Sequence, residues 1–330
     1  MRKIAIEEAI FFEKLGPVRN KWVERNDMPG TIDLELYMGT IMPRMIAPFD
    51  KVRLPEMNAA GVDIQVLSLG APGVQGCEDA REALTLSIES NDLIYEKMKA
   101  YPGRFGGFAA VPTQDPEAAA KELERCVTKL GFCGAMVQGR TEDKYLDDPS
   151  YDVLWEAAQA LNVPISLHVM DTDVRKMQIF EGCYSLLGPG WSWNLESATH
   201  VLRIIMNGVF ERFPKAQVIC GHMGEGLPYY LGRIDEGFMT FCGHLEQKLT
   251  RLPSAYFPTN VYITTSGRYY PPAMRCAIDA VGVDRVLFAT DWPFLLLDEA
   301  IELVENCSLS REEKESIFHI NAERLLNIAP

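Results

Sequence analysis

Glutamates, histidines and an aspartate recur in this 330-residue chain where short apolar runs end. Glu7-Glu8 follows residues 3–6, His168 follows 163–167, His222-Met223-Gly224-Glu225 follows 217–220, and Asp291-Trp292-Pro293 follows 285–289. A fifth polar signal, Thr264-Thr265-Ser266-Gly267, closes residues 261–263. Carboxylates and imidazoles at successive strand ends are the one-dimensional pattern of a barrel active site. Glu7 and Glu8 alternate across a strand, so only one of them faces a barrel interior; the plain alternative for either is a solvated strand-end acid. His168 is either an imidazole available to a metal or a satisfied core histidine. His222 and Glu225, at i and i+3 of a starting helix, share a face, and a carboxylate beside an imidazole orients it for acid–base work. The alternative for Glu225 is a carboxylate that complements the helix dipole. Asp291 closes a buried-looking strand, where a ligand or proton-transfer role explains it better than surface decoration. Glu7, His168 and Asp291 together supply three protein ligands and leave positions open for water or substrate, as a catalytic metal site requires. This oxygen-rich set favours Mn²⁺ or Mg²⁺ without excluding Zn²⁺.

Such residues need a scaffold. Eight short apolar or β-branched runs (residues 3–7, 63–68, 105–110, 132–137, 163–167, 217–220, 261–264 and 285–289) alternate with longer helical patterns, which predicts an α/β fold, a (β/α)₈ TIM-like barrel in one domain over 1–330. Asp115-Pro116 starts a helix whose apolar Ala119, Leu123, Cys126, Val127 and Leu130 share helical spacing and which Gly131 stops. Ser310 and Glu313 make a capping box, with Ser308 a competing cap, and the C-terminal segment is expected on the outside of the barrel. Residues 11–50 and 170–195 break the alternation and are candidate lid or interface insertions. A net charge of −14 with a pI near 4.9 and no Lys/Arg cluster argues against nucleic acid or an anionic membrane as partner. The eight cysteines show no CxxC spacing and read as reduced thiols; with no signal-peptide pattern and no long apolar run, a cytoplasmic protein is expected.

The same residues carry a resemblance. Ile6-Glu7-Glu8-Ala9, Leu67-Ser68-Leu69-Gly70-Ala71-Pro72-Gly73-Val74-Gln75, Pro102-Gly103-Arg104-Phe105, Leu130-Gly131-Phe132, Gly221-His222-Met223-Gly224-Glu225, Ile263-Thr264-Thr265-Ser266-Gly267 and Thr290-Asp291-Trp292-Pro293-Phe294 follow one another in an order that resembles the amidohydrolase superfamily. The similarity is to its metal-dependent nonoxidative aromatic acid decarboxylases, which act on 2,3-dihydroxybenzoate, γ-resorcylate, salicylate or 5-carboxyvanillate. It implies an amidohydrolase-type barrel with Glu7, His168 and Asp291 on one divalent metal and no organic cofactor. Asp291 would also move the proton, and His222 with Glu225 would polarise a ring hydroxyl. Arg233 matches an arginine near substrate in relatives, an upstream arginine is Arg44 or Arg53, and Ser68 and Phe294 lie in matching segments taken as substrate-binding. A homodimer or homotetramer is implied as well. Hydrolytic members carry His-x-His on the first strand where this chain has Glu7 and Ala9, which speaks against a binuclear hydrolytic centre. His168-Val169 replaces a frequent His-Pro, and Gly70 replaces Asn or Thr.

The implied reaction is decarboxylation of an ortho-hydroxybenzoate to a phenol and CO₂, with Asp291 protonating the ring and high bicarbonate driving the reverse. The rival on the same barrel is a hydrolase or hydratase of a small carboxylate, with metal-bound water as nucleophile and Asp291 as base.

Overall fold

The computed structural model describes residues 1–25, 37–170, 178–244, 248–267 and 270–329. Nine parallel strand segments are found among them: β1 (Ile4–Ile10), β2 (Ile64–Leu69), β3 (Phe105–Gly107), β4 (Ala109–Ala110), β5 (Ala135–Gln138), β6 (Ile165–His168), β7 (Val218–Cys220), β8 (Val261–Thr264) and β9 (Val286–Leu287). The expected third run is split at Phe108, whose N–H still reaches Leu67 O at 2.9 Å while Ala109 N–H reaches Gly134 O at 2.8 Å. Eight strand positions therefore follow one another around the barrel. Closure comes from a parallel bridge between Ile6 and Ala289, with Ile6 N–H donating to Phe288 O at 3.1 Å.

Strand residues divide by the two-residue period. Ile4, Ile6, Ile64, Val66, Met136, Ile219, Tyr262 and Leu287 form one buried cluster, while Ala5, Leu67, Val137, Ile165, Val218, Val261 and Val286 pack in a second that includes the helices. Parallel strands covered on both faces read as continuous apolar runs, which is why the runs were visible in the sequence. The C-terminal segment divides: Ile317 and Phe318 pack in the cluster that includes the helices, as expected of a segment on the outside, while Ala322, Leu325 and Leu326 pack with the first cluster. These small and branched side chains complete a layer that the strands alone leave open.

Local signals set the helices. Asp115 accepts from Ala118 N–H at 3.1 Å at the start of the helix Pro116–Leu130, and Gly131 ends it at φ 73°. Ser310 and Glu313 form the reciprocal capping box. Helix Ser192–Met206 is tied to the segment after β5 by His200, whose Nε2 accepts Leu146 N–H at 2.9 Å, and by a two-bond Arg203–Asp147 pair.

Of the two suspected insertions, residues 26–36 and 171–177 lie outside the described residues. In the first, Tyr37, Ile41 and Met45 are buried against Ala9 at the end of β1. In the second, three short 3₁₀ turns (Gln178–Phe180, Tyr184–Leu186 and Gly188–Gly190) lead to helix Ser192–Met206. No described helix is long and apolar enough to cross a membrane.

Candidate active site

Glu7 is not at the end of its strand, as the sequence suggested, but at a bulge within it. The register steps from Ala5 opposite Gln65 to Glu8 opposite Leu67, three residues against two, and Glu7 takes a left-handed φ of 71°. A bulge re-aims one side chain without ending the sheet. Thr264 Oγ1 and Ser266 Oγ donate to Glu7 Oε2 at 2.8 and 2.6 Å. The other oxygen, Oε1, is buried without a hydrogen-bond partner. It lies 3.8 Å from His222 Nε2, and a Cβ at Gly221 would stand 2.5 Å from it. Gly221 is therefore glycine because Glu7 needs the space. An oriented carboxylate with one bare buried oxygen is what a cation ligand looks like before the cation is counted.

His168 ends β6 with its Nδ1–H donating to Val169 O at 3.0 Å, which leaves Nε2 for a metal. Burial lowers its pKa to about 4 against the pull of Glu7, so the imidazole is neutral and able to ligate. Ligand atoms of Glu7, His168 and His222 all lie within 4.8 Å of one another, a carboxylate beside two imidazoles that suits a divalent cation; Asp291, expected from the sequence as the third ligand, is not among these three.

His222 and Glu225 meet as expected, Nδ1 to Oε1 at 2.8 Å, but not on a helix face. His222, Met223 and Glu225 take φ of 46°, 57° and 53° in a left-handed turn, and the helix Leu227–Gly237 starts only afterwards. The turn is pinned by His222 N–H donating to Ser266 Oγ at 3.0 Å. Burial opposes the charged imidazole, yet Glu225 and Glu7 together outweigh it and raise His222 to about 10. Asp291, also left-handed at φ 57°, is raised by burial to about 7; His222 pulls it down while Glu7 and Glu225 push it up. Asp291 thus shares the field of the cluster. Five of the eight described non-glycine residues with positive φ are Glu7, His222, Met223, Glu225 and Asp291. Backbone strain held in place by surrounding structure concentrates at functional sites, and here it gathers around one cluster of side chains.

The remaining candidates are placed differently. Ser68 is buried near the end of β2 opposite Ala9, and Phe294 is partly exposed three residues beyond Asp291. Arg233 points to solvent, 74% exposed, and pairs with Glu236. Arg44 donates to Pro293 O at 2.6 Å and to Glu56 at 2.7 Å. Arg53 is enclosed and donates to Gln65 and Ala9 O. Thr264 and Ser266, which orient Glu7, were marked in sequence only as a polar strand end; their hydroxyls at i and i+2 were the signal for a shared target.

A family model described as Amidohydrolase matches residues 46–328. The chain belongs to the amidohydrolase family. This amidohydrolase is 41% identical over 332 residues to the γ-resorcylate decarboxylase of Polaromonas sp. (strain JS666 / ATCC BAA-500), covering 99% of this chain and 98% of the relative. The crystal structure of a dihydroxybenzoic acid decarboxylase from Polaromonas sp. JS666, with bound manganese and the inhibitor 2-nitroresorcinol, matches with a TM-score of 0.90 at 37% identity, over 99% of this chain and 97% of that one. That of a 5-carboxyvanillate decarboxylase from Sphingomonas paucimobilis matches with a TM-score of 0.88 at 31% identity, over 99% of each chain. Barrel and family agree, and this amidohydrolase is an enzyme of the decarboxylase class.

Proposed function

We propose that this decarboxylase acts on an ortho-hydroxybenzoate of the γ-resorcylate type, releasing CO₂ and a phenol without change of oxidation state. The observation that carries the reading is the bare, buried Oε1 of Glu7 beside His168 and His222, a cluster whose charges also act on Asp291. Glu7, His168 and Asp291 would hold one divalent metal, with Mn²⁺ first because a similar decarboxylase carries manganese, and Mg²⁺ or Zn²⁺ as alternatives. Bound there, the metal supplies positive charge that gathers the substrate's carboxylate and phenolate oxygens. Asp291 gives its proton to the carboxyl-bearing ring carbon. His222, held by Glu225, hydrogen-bonds the ring oxygen where negative charge collects. The carbon–carboxyl bond then breaks, its electron pair restores the aromatic ring, CO₂ leaves, and Asp291 takes a proton back from solvent.

The rest of the reading is a single barrel domain over 1–330 that works as a homodimer or homotetramer in the cytoplasm. Exposed Tyr229, Tyr230, Met239 and Phe241, on helix Leu227–Gly237 and its continuation, supply apolar surface for a partner copy. The described free cysteines suit a reducing compartment.

In D₂O the phenolic product should carry one deuterium at the former carboxyl-bearing carbon, read by NMR, with CO₂ as coproduct. Solvent ¹⁸O in the product and no CO₂ would move the assignment to a hydrolase or hydratase.

A further inference from the structure

Arg53 opens the helix Arg53–Ala60 with its side chain fully enclosed, and its hydrogen bonds go to Gln65 and Ala9 O rather than to Glu7, His168, His222 or Asp291. Its Nη2 donates to Ala9 O and its Nη1 to Gln65 Oε1 at 2.9 Å; Gln65 Nε2 donates in turn to Glu8 Oε2 at 2.8 Å. Glu8 takes the N–H of Thr290 at 3.0 Å and its hydroxyl at 2.8 Å. On the other side of Asp291, the Arg53 guanidinium lies 3.6 Å from the centre of the Trp292 ring. Trp292 Nε1–H is fixed by Glu56 at 2.6 Å, and Trp292 O by Ala9 N–H at 2.9 Å. Asp291 is therefore gripped at both neighbours, and Glu8, one end of the grip, adjoins Glu7.

We propose that Glu8, Gln65 and Arg53 form a positioning brace that sets the left-handed backbones of Glu7 and Asp291 relative to each other, so that the proton reaches the ring carbon. A device for stability alone is a poor explanation. Burying two ionisable groups is costly beside well-packed apolar residues, and these two are not in contact to offset it, since Gln65 stands between them. The interposed amide spans from helix Arg53–Ala60 to Thr290 and lets the cation reach Trp292 at the same time. Glu8→Gln has nearly the same shape but breaks the donor order. Its new NH₂ must face either Thr290 N–H or the amide of Gln65, and if Gln65 turns over, its own NH₂ meets Arg53.

The inference rests on the role proposed for Asp291, and four variants separate the two. With Glu8→Gln and Arg53→Lys, kcat should fall roughly 10- to 100-fold, the scale of a small misplacement of a reacting group. KM, metal per chain and cooperative melting should stay near wild type, and Arg53→Lys, which keeps the cation, should lose less than Arg53→Met. A folded, metal-loaded Glu8→Gln with wild-type kcat overturns the brace, as does a parallel loss of metal and substrate affinity. Failure of both Glu8→Gln and Arg53→Lys to fold assigns the network to stability and overturns it too. If Asp291→Asn still turns over, the reading of Asp291 fails; if it is inactive while Glu8→Gln is normal, only the brace fails.

Discussion

The two oxygens of Glu7 have different employment: Oε2 accepts from two hydroxyls, and Oε1 is buried without a hydrogen-bond partner beside His222. The division of labour proposed for the site follows from asymmetries of this kind. Glu7→Gln keeps the shape, but its amide either offers a neutral oxygen to the cation or turns NH₂ toward it, so metal content and activity should fall together. His222 is assigned the acid–base role because its partner at Nδ1 is the carboxylate of Glu225, 2.8 Å away, rather than a backbone carbonyl as in His168. His222→Asn should keep the metal and lower kcat roughly 10²-fold or more, as for a lost acid–base group, and Glu225→Gln should act in the same direction less strongly. Metal analysis beside steady-state kinetics checks all three; a metal-free His222→Asn would make the imidazole a ligand and end that division. These short side chains were legible in the sequence because a short side chain at a strand end has few places to go. Arg44, Arg53 and Arg233 were not: a long side chain reaches in many directions, and its ion partner, Glu56 or Glu236, is settled only by packing.

Elements were legible where their signals are local. The helix from Asp115 to Gly131 needed only a cap, an N-terminal proline and a left-handed stop, all adjacent to it in sequence. The β1 bulge needed β2 beside it, and the tight turn at His222 needed Ser266 from β8's end and the room left at Gly221, so neither had a local signature. The tie between helix Ser192–Met206 and the segment after β5 has a consequence for acid stability. His200 accepts a backbone N–H through Nε2 and must be neutral to do so. Burial, with Arg203 acting in the same direction, lowers its pKa to about 3 from an ordinary 6.5. Below pH 6.5 the unfolded chain therefore binds a proton that the folded chain refuses. Stability is full above 6.5 and declines as pH falls toward 3, with a slope of up to about 1.4 kcal/mol per pH unit from this group. His200→Gln can still accept from Leu146 N–H, and urea titrations between pH 7 and 4 should show a shallower decline than wild type. An unchanged slope would remove His200 as a contributor.

At the scale of the whole molecule, a cation held as proposed by Glu7, His168 and Asp291 would bind the folded chain and not the unfolded one. Chelation should abolish turnover, Mn²⁺ should restore it, and the melting temperature should rise with metal concentration; at a hundred times the Kd the gain is about 2.7 kcal/mol. A fully active metal-free preparation would dissolve the site. The barrel was legible as eight spaced runs, yet its closure was not, because the Ile6–Ala289 bridge joins residues from opposite ends of the chain. The same remoteness governs how the site comes into being. Glu7 is held by hydroxyls 257 and 259 residues downstream, and Glu8 by Thr290, 282 residues away. A polypeptide leaving the ribosome carries Glu7 long before Thr264 and Ser266, and Glu7 is not oriented as a ligand until β8 and its end have emerged and docked. Contacts so distant along the chain form slowly, and half-made barrels hold no competent set of donors. On the proposed ligand set, metal capture waits for the strands to close, and a loaded ion would report that closure.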